Sequence, residues 1–151
     1  MKIIDLLQRQ YLKHAIENPL RLGGDGMVVQ IDESLFRHKQ KYYRCRQPEK
    51  EIQAFGLADV SFTPAKISLH VVPNRAASTL LPIIEEVCLP GSVIYSDEWR
   101  ACARIGNSNF RFSHFTVNHS ETFVNHQTGV YTQNIESVWN KCKYVQKIYN
   151  G

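Results

Sequence analysis

MVVQID (27–32) is a short run rich in β-branched residues that ends in an acid. It follows ENPLRLGGDG (17–26), where Pro19 and the glycines at 23, 24 and 26 form a turn or linker. That turn stops the amphipathic pattern of IIDLLQRQYLKHAIE (3–17), which reads as a helix. The pattern of an apolar strand closed by aspartate returns at SVIYSD (92–97). Between the two lie EIQAFGLADV (51–60) and AKISLHVVP (65–73), strands joined by a hairpin turn at SFTP (61–64). NRAASTLLPIIEEVCLPG (74–91) reads as a helix, with Ser78 as N-cap and Pro82 in the first turn. EWRACARIG (98–106) reads as a short helix, FRFSHFTV (110–117) as a fifth strand, and 118–131 as a loop into a last helix beginning TQNIESVWNKCK (132–143).

Three meandering strands followed by alternating helices predict an α/β fold with one five-stranded mixed sheet and flanking helices. The order is that of the ribonuclease H-like topology. The expected organisation is an N-terminal helix and linker over 1–22 and a ribonuclease H-like domain over 23–151.

The 151 residues suit one compact core, and no apolar run approaches the ~18–20 residues of a membrane span. The charged N-terminus is no signal peptide, so an intracellular protein is expected, nuclear in a eukaryote and in the cytoplasm or nucleoid of a bacterium. The four cysteines at 45, 88, 102 and 142 form no C-x-x-C pair. That argues against a zinc site, and Cys88, Cys102 and Cys142 read as small apolar core residues. The net charge of +4 is concentrated in RHKQKYYRCRQPEK (37–50). Arg37, Lys39, Lys41, Arg44, Arg46 and Lys50 stand there beside Tyr42 and Tyr43. Cations among aromatic rings suit phosphate contact and base stacking, and they equally suit a solvated hairpin.

Asp32 and Asp97 each close a strand, where a sheet presents side chains to a cleft. A third acid, Glu136, stands on the last helix. At about 100° per residue, Ile135, Val138, Trp139, Cys142 and Val145 form one apolar stripe, with Trp139 anchoring the helix on the sheet. Glu136 falls at the edge of that stripe, and Lys143 lies two turns on along the same edge. Three converging carboxylates repel one another, and a divalent cation removes the repulsion. Hard oxygen ligands favour Mg²⁺ or Mn²⁺, and two such ions about 3.5–4 Å apart suit phosphodiester chemistry.

The segments GGDGMVVQIDES (23–34), PNRAASTLLPIIEEVCLPGSVIYSDEWRA (73–101) and FTVNHSETFVNHQTGVYTQNIESVWNKCK (115–143) resemble the DDE transposase domain of the ISXO-type insertion sequences and of their relatives, the Merlin DNA transposons. The resemblance implies a catalytic core that cuts and joins DNA strands with two metal ions, as in DNA transposition and recombination. Asp32 of IDES, Asp97 of YSDEW and Glu136 of NIESVW match the three acids, as catalytic residues and metal ligands. Lys143, seven residues after the third acid, matches a lysine that contacts DNA near the transposon end. Asn118, His119 and Asn140 are auxiliary candidates. Glu33 and Glu98 adjoin the first two acids; strand alternation turns Glu33 to the opposite face and marks it as non-catalytic. The implied partners are transposon-end and target DNA, and other copies of the chain.

The sequence also departs from the family pattern. A DNA-binding region, often a zinc ribbon, ordinarily precedes the domain, and more chain ordinarily follows the third acid. EIQAFGLADV lacks the tryptophan and glycine pair common at that point. These departures fit a decayed copy, a fragment or a host-recruited version. The rival reading is an inactive relic that binds DNA or protein; a nuclease of the same fold acting on other nucleic acid is a third.

Overall fold

A computed structural model describes residues 3–36, 51–97, 111–117 and 131–149. In chain order the elements are α1 (Ile3–Glu17), β1 (Val28–Phe36), β2 (Ile52–Asp59), β3 (Lys66–Val72), α2 (Ala77–Val87), β4 (Val93–Asp97), β5 (Ser113–Val117) and α3 (Gln133–Tyr149). The expected helix at 98–106, most of the loop at 118–131 and the basic segment 37–50 lie outside the described residues.

The strands form one sheet in the order β3-β2-β1-β4-β5. β1, β2 and β3 pair antiparallel in sequence order, with β2–β3 joined by a short turn. β4 pairs parallel to β1, and β5 parallel to β4. The sheet is therefore mixed, as the element order predicted. The chain leaves the β3 edge, runs through α2 and returns beside β1 in the middle.

Alternation along the strands sorts side chains onto two faces. On one, Val29, Ile31, Phe55, Leu57 and Ile94 are fully buried against Leu80, Ile84 and Val87 of α2. Burying each such side chain contributes about 1.5–3 kcal/mol, so this cluster dominates stability. On the other face α3 packs over Ala54 and Ala58 with Ile135 and Trp139. Gly56 lies between those alanines because no side chain fits there. A Cβ on Gly56 would stand 2.6 Å from Trp139 Cζ2 and 2.8 Å from Ile135 Cδ1.

Several local expectations need correction. β1 runs on to Phe36, past Asp32, because its pairing with β2 continues to Phe36–Ile52. α2 begins at Ala77 with Ala76 at its cap, and Ser78 makes no cap hydrogen bond. No side chain caps the helix; just before it, Asn74 Oδ1 accepts the Ala76 N–H at 2.9 Å and the Thr79 hydroxyl at 2.7 Å and so fixes the entry turn. Pro82 accordingly lies in the second turn, inside the helix. Cys88 is buried as expected, and burial pushes its thiol up to about 12. Cys142 is only half-buried, because α3 crosses β1 and β2 and leaves its far half uncovered. Cys45 and Cys102 lie outside the described residues.

Candidate active site

The β1–β4 pairing runs Val28–Val93, Val29–Ile94 and Gln30–Tyr95. That offset, extended by two residues, sets Asp32 level with Asp97 on adjacent strands. The described pairing stops at Gln30–Tyr95, so both aspartates stand beyond it, at the carboxyl end of the parallel pair. Open α/β sheets place their ligand crevices there. Gln30, Asp32, Tyr95 and Asp97 share the face covered by α3, as shown by the contacts of Gln30 and Asp32 with α3 and by the edge-on contact of Tyr95 with Tyr131.

Glu33 has the next position on β1, on the α2 face with Ile31 and its cross-strand partner Phe55. Its backbone orientation follows alternation, yet its carboxylate does not stay on that side. Ligand oxygens of Asp32, Glu33 and Asp97 all lie within 4.8 Å of one another. A glutamate is long enough to reach toward β4 past the last described β1–β4 pair. The expectation that alternation removes Glu33 from the acidic group is thus corrected by side-chain length.

The carboxyls are strained electrostatically. Burial raises Asp32 to about 6, and the charges of Asp97 and Glu136 add to the rise. The Glu33 N–H, which donates to Asp32 Oδ1 at 2.8 Å, and the Trp139 indole N–H oppose it. Burial and the charges of Asp97 and Asp32 raise Glu33 to about 7, against the Arg75 guanidinium, which lowers it. Such a group is protonated or neutralised by a cation near neutral pH. A cluster of hard oxygen donors, partly desolvated and mutually repelling, fits Mg²⁺ or Mn²⁺.

Glu136 lies in the first turn of α3, half-buried, and its Oε1 accepts the hydroxyl of the buried Thr132 at 3.0 Å. The charge of Glu136 acts on Asp32, though its carboxylate stands outside the group formed by Asp32, Glu33 and Asp97. Further along α3, Asn140 and Lys143 are exposed. Trp139 is buried and anchors the helix as expected, edge-on to Phe36 at 5.9 Å. Its indole also donates to Asp32 Oδ2 at 3.0 Å, a contact spanning 107 positions that no local pattern announces. Gln30 was also missed. Its buried Oε1 accepts the N–H groups of Asn134 and Ile135 at 3.1 and 3.2 Å and so caps α3 from β1. A polar residue inside the apolar run MVVQI is the signal that could have found it. Arg37, Lys39, Lys41, Arg44, Arg46, Asn118 and His119 lie outside the described residues.

An intasome of simian T-cell lymphotropic virus, solved in complex with the PP2A regulatory subunit B56 gamma, contains a chain of similar fold. The TM-score is 0.52 at 16% identity over 87% of this chain, which spans about half (47%) of that one. The likeness is one of fold, and that fold is ribonuclease H-like. An uncharacterized transposase-like protein of Haemophilus influenzae is 38% identical over 86 residues, covering 57% of this chain and 67% of its own length. The sequence model of the ISXO2-like transposase domain matches residues 21–151. With the match extending from the turn before β1 through α3, the chain belongs to the ISXO2-like transposase domain family.

Proposed function

We propose that residues 23–151 form the catalytic domain of a DDE transposase, a polynucleotidyl transferase that cleaves a DNA strand and joins it to target DNA. The observation that carries this reading is the meeting of Asp32 and Asp97 on adjacent parallel strands, just past their last described pair, with Glu136 acting on Asp32 from the helix above them. Asp32, Asp97 and Glu136 would hold the divalent ions, and Glu33 adds a further carboxylate to the same group. Mg²⁺ or Mn²⁺ bound there would supply charge neutralisation and Lewis-acid activation of the phosphodiester. The chain's own part is to fix the donor oxygens. Asp32 is held through both oxygens, and Glu136 is held by Thr132 and by the capped first turn of α3. Lys143, exposed about 10 Å along the axis from Glu136, suits a phosphate flanking the cleavage point. The basic residues of 37–50 would add phosphate contacts that position DNA without reading its sequence. The kinship with the Merlin elements belongs to this same reading and rests on the same three motifs.

The test is nicking of a duplex that carries the element's terminal repeat, with Mg²⁺ or Mn²⁺ and with chelator. Metal-dependent nicking by the parent, lost in Glu136→Gln while duplex binding persists, is the expected result. Nicking that survives Glu136→Gln contradicts the assignment of the third acid. Duplex binding without nicking by the parent, under any metal, makes the chain a binding relic.

A further inference from the structure

Helix α3 is tied to β1 by polar contacts on both sides of Glu136. Before it, Asn134 and Ile135 donate their N–H groups to Gln30 Oε1. One turn after it, the Trp139 indole donates to Asp32 Oδ2 at 3.0 Å. A buried indole N–H needs an acceptor, and a backbone carbonyl would serve. Here the acceptor is the first acid. The other oxygen of that carboxylate accepts the Glu33 N–H at 2.8 Å. With each oxygen held by its own donor, the plane of the carboxylate is set and its remaining lone pairs have fixed directions.

The ring has no freedom to leave. It lies over Gly56, where even a Cβ would stand 2.6 Å from Cζ2, and Phe36 meets it edge-on. We infer that Trp139 is a positioning residue whose indole N–H orients the Asp32 carboxylate toward a divalent cation, so that the seating of α3 and the geometry of the first acid are set together. This rests on the metal-dependent reading above. Removing an outer hydrogen bond to a metal-binding carboxylate typically lowers metal affinity by about 10–100-fold.

The experiment is a Mn²⁺ titration followed by electron paramagnetic resonance on the parent, Trp139→Phe and Ile135→Val. It is paired with melting temperatures in chelator and with ¹⁵N spectra of the two indoles, Trp99 and Trp139. Trp139→Phe keeps an aromatic ring and loses the donor. Ile135→Val trims the same apolar cluster and touches no hydrogen bond. The expected result is a roughly tenfold or greater loss of Mn²⁺ affinity in Trp139→Phe alone. Ile135→Val should bind Mn²⁺ as the parent does, even where it lowers the melting temperature as far. The Trp139 indole resonance of the parent should move on addition of Mg²⁺ and in Asp32→Asn. Equal Mn²⁺ affinity in parent and Trp139→Phe overturns the positioning role and leaves the metal site standing. Absence of Mn²⁺ binding by the folded parent overturns the metal reading and this inference with it. Should Trp139→Phe not fold, the indole resonance decides: movement in Asp32→Asn supports the inference, and indifference to that substitution overturns it.

Discussion

On the α2 side of the sheet, Val29, Ile31, Phe55, Leu57 and Ile94 present branched and aromatic side chains, fully buried in one cluster with α2, Leu22 and Cys88. On the α3 side, the neighbouring strand positions are Gln30, Asp32, Ala54, Gly56, Ala58, Tyr95 and Asp97. One face excludes water with bulk. The other is built from small residues that admit an indole and from polar groups that hold the helix by hydrogen bonds. The difference separates two tasks. Apolar area on the α2 face gives the domain its stability, which leaves the α3 face able to carry carboxylates that disfavour folding. Gly56 and Trp139 show the cost in detail, since a single methyl on β2 would push away the helix that carries the third acid.

Phe55→Ala removes a fully buried ring and should destabilise the domain by about 3–5 kcal/mol, read by urea or thermal unfolding. Per folded molecule it should leave Mn²⁺ affinity as in the parent. A large loss of affinity in the molecules still folded would show that the two faces are not separable.

The acidic group itself should cost stability near neutral pH. The folded-state values of Asp32 and Glu33, about 6 and about 7, lie above their ordinary values of 3.8 and 4.5. The folded chain therefore holds protons that the unfolded chain has already released. Their contribution is most favourable below the ordinary carboxylate range and is lost as pH rises through about 6 to 7. At about 1.4 kcal/mol per unit, and discounted for solvent and for the coupling of the two groups, the loss is on the order of a few kcal/mol. In chelator, the melting temperature should fall between pH 5 and pH 7.5. The double variant Asp32→Asn, Glu33→Gln should flatten that fall, and Mn²⁺ should offset it in the parent. A parent profile as flat as that of the double variant would contradict the desolvated cluster.

A smaller and sharper test lies at Gly56. Gly56→Ala adds one methyl against Trp139 and Ile135 and should cost about 1–3 kcal/mol by overpacking. Because the strain falls on the α3 side, Mn²⁺ affinity should fall as well, in contrast with Phe55→Ala. Substitution without effect on either measurement would mean that α3 is seated less closely than its contacts with the sheet imply.

Much of this could be read from the sequence because it depends on local pattern. The β-branched runs at 27–32 and 92–97, the hairpin at 61–64 and the amphipathic stripe of α3 each follow from a repeat of two or of 3.6 residues. The positions of Asp32 and Asp97 followed once those runs were strands. What stayed hidden depends on chain crossing. The Trp139–Asp32 and Gln30–Ile135 bonds join residues more than 100 positions apart, and no periodicity encodes a partner at that distance. The place of Glu33 in the acidic group stayed hidden for another reason: alternation gives the direction of Cβ, whereas a carboxylate three bonds further out can turn back toward the neighbouring strand. Ser78 does not cap α2 because the helix begins one residue before it, at Ala77, and only the backbone decides where the first turn starts.

The proposed divalent metal site brings together Asp32 and Glu33 of β1 and Asp97 of β4. Its most direct test is Mn²⁺ binding to the folded chain at pH 7.5, with Asp97→Asn as the comparison. The predicted result is saturable binding by the parent, accompanied by a rise in melting temperature, and a strong loss of both in Asp97→Asn at unchanged or higher stability in chelator. Equal binding by the two proteins, or none by a folded parent, would contradict the claim.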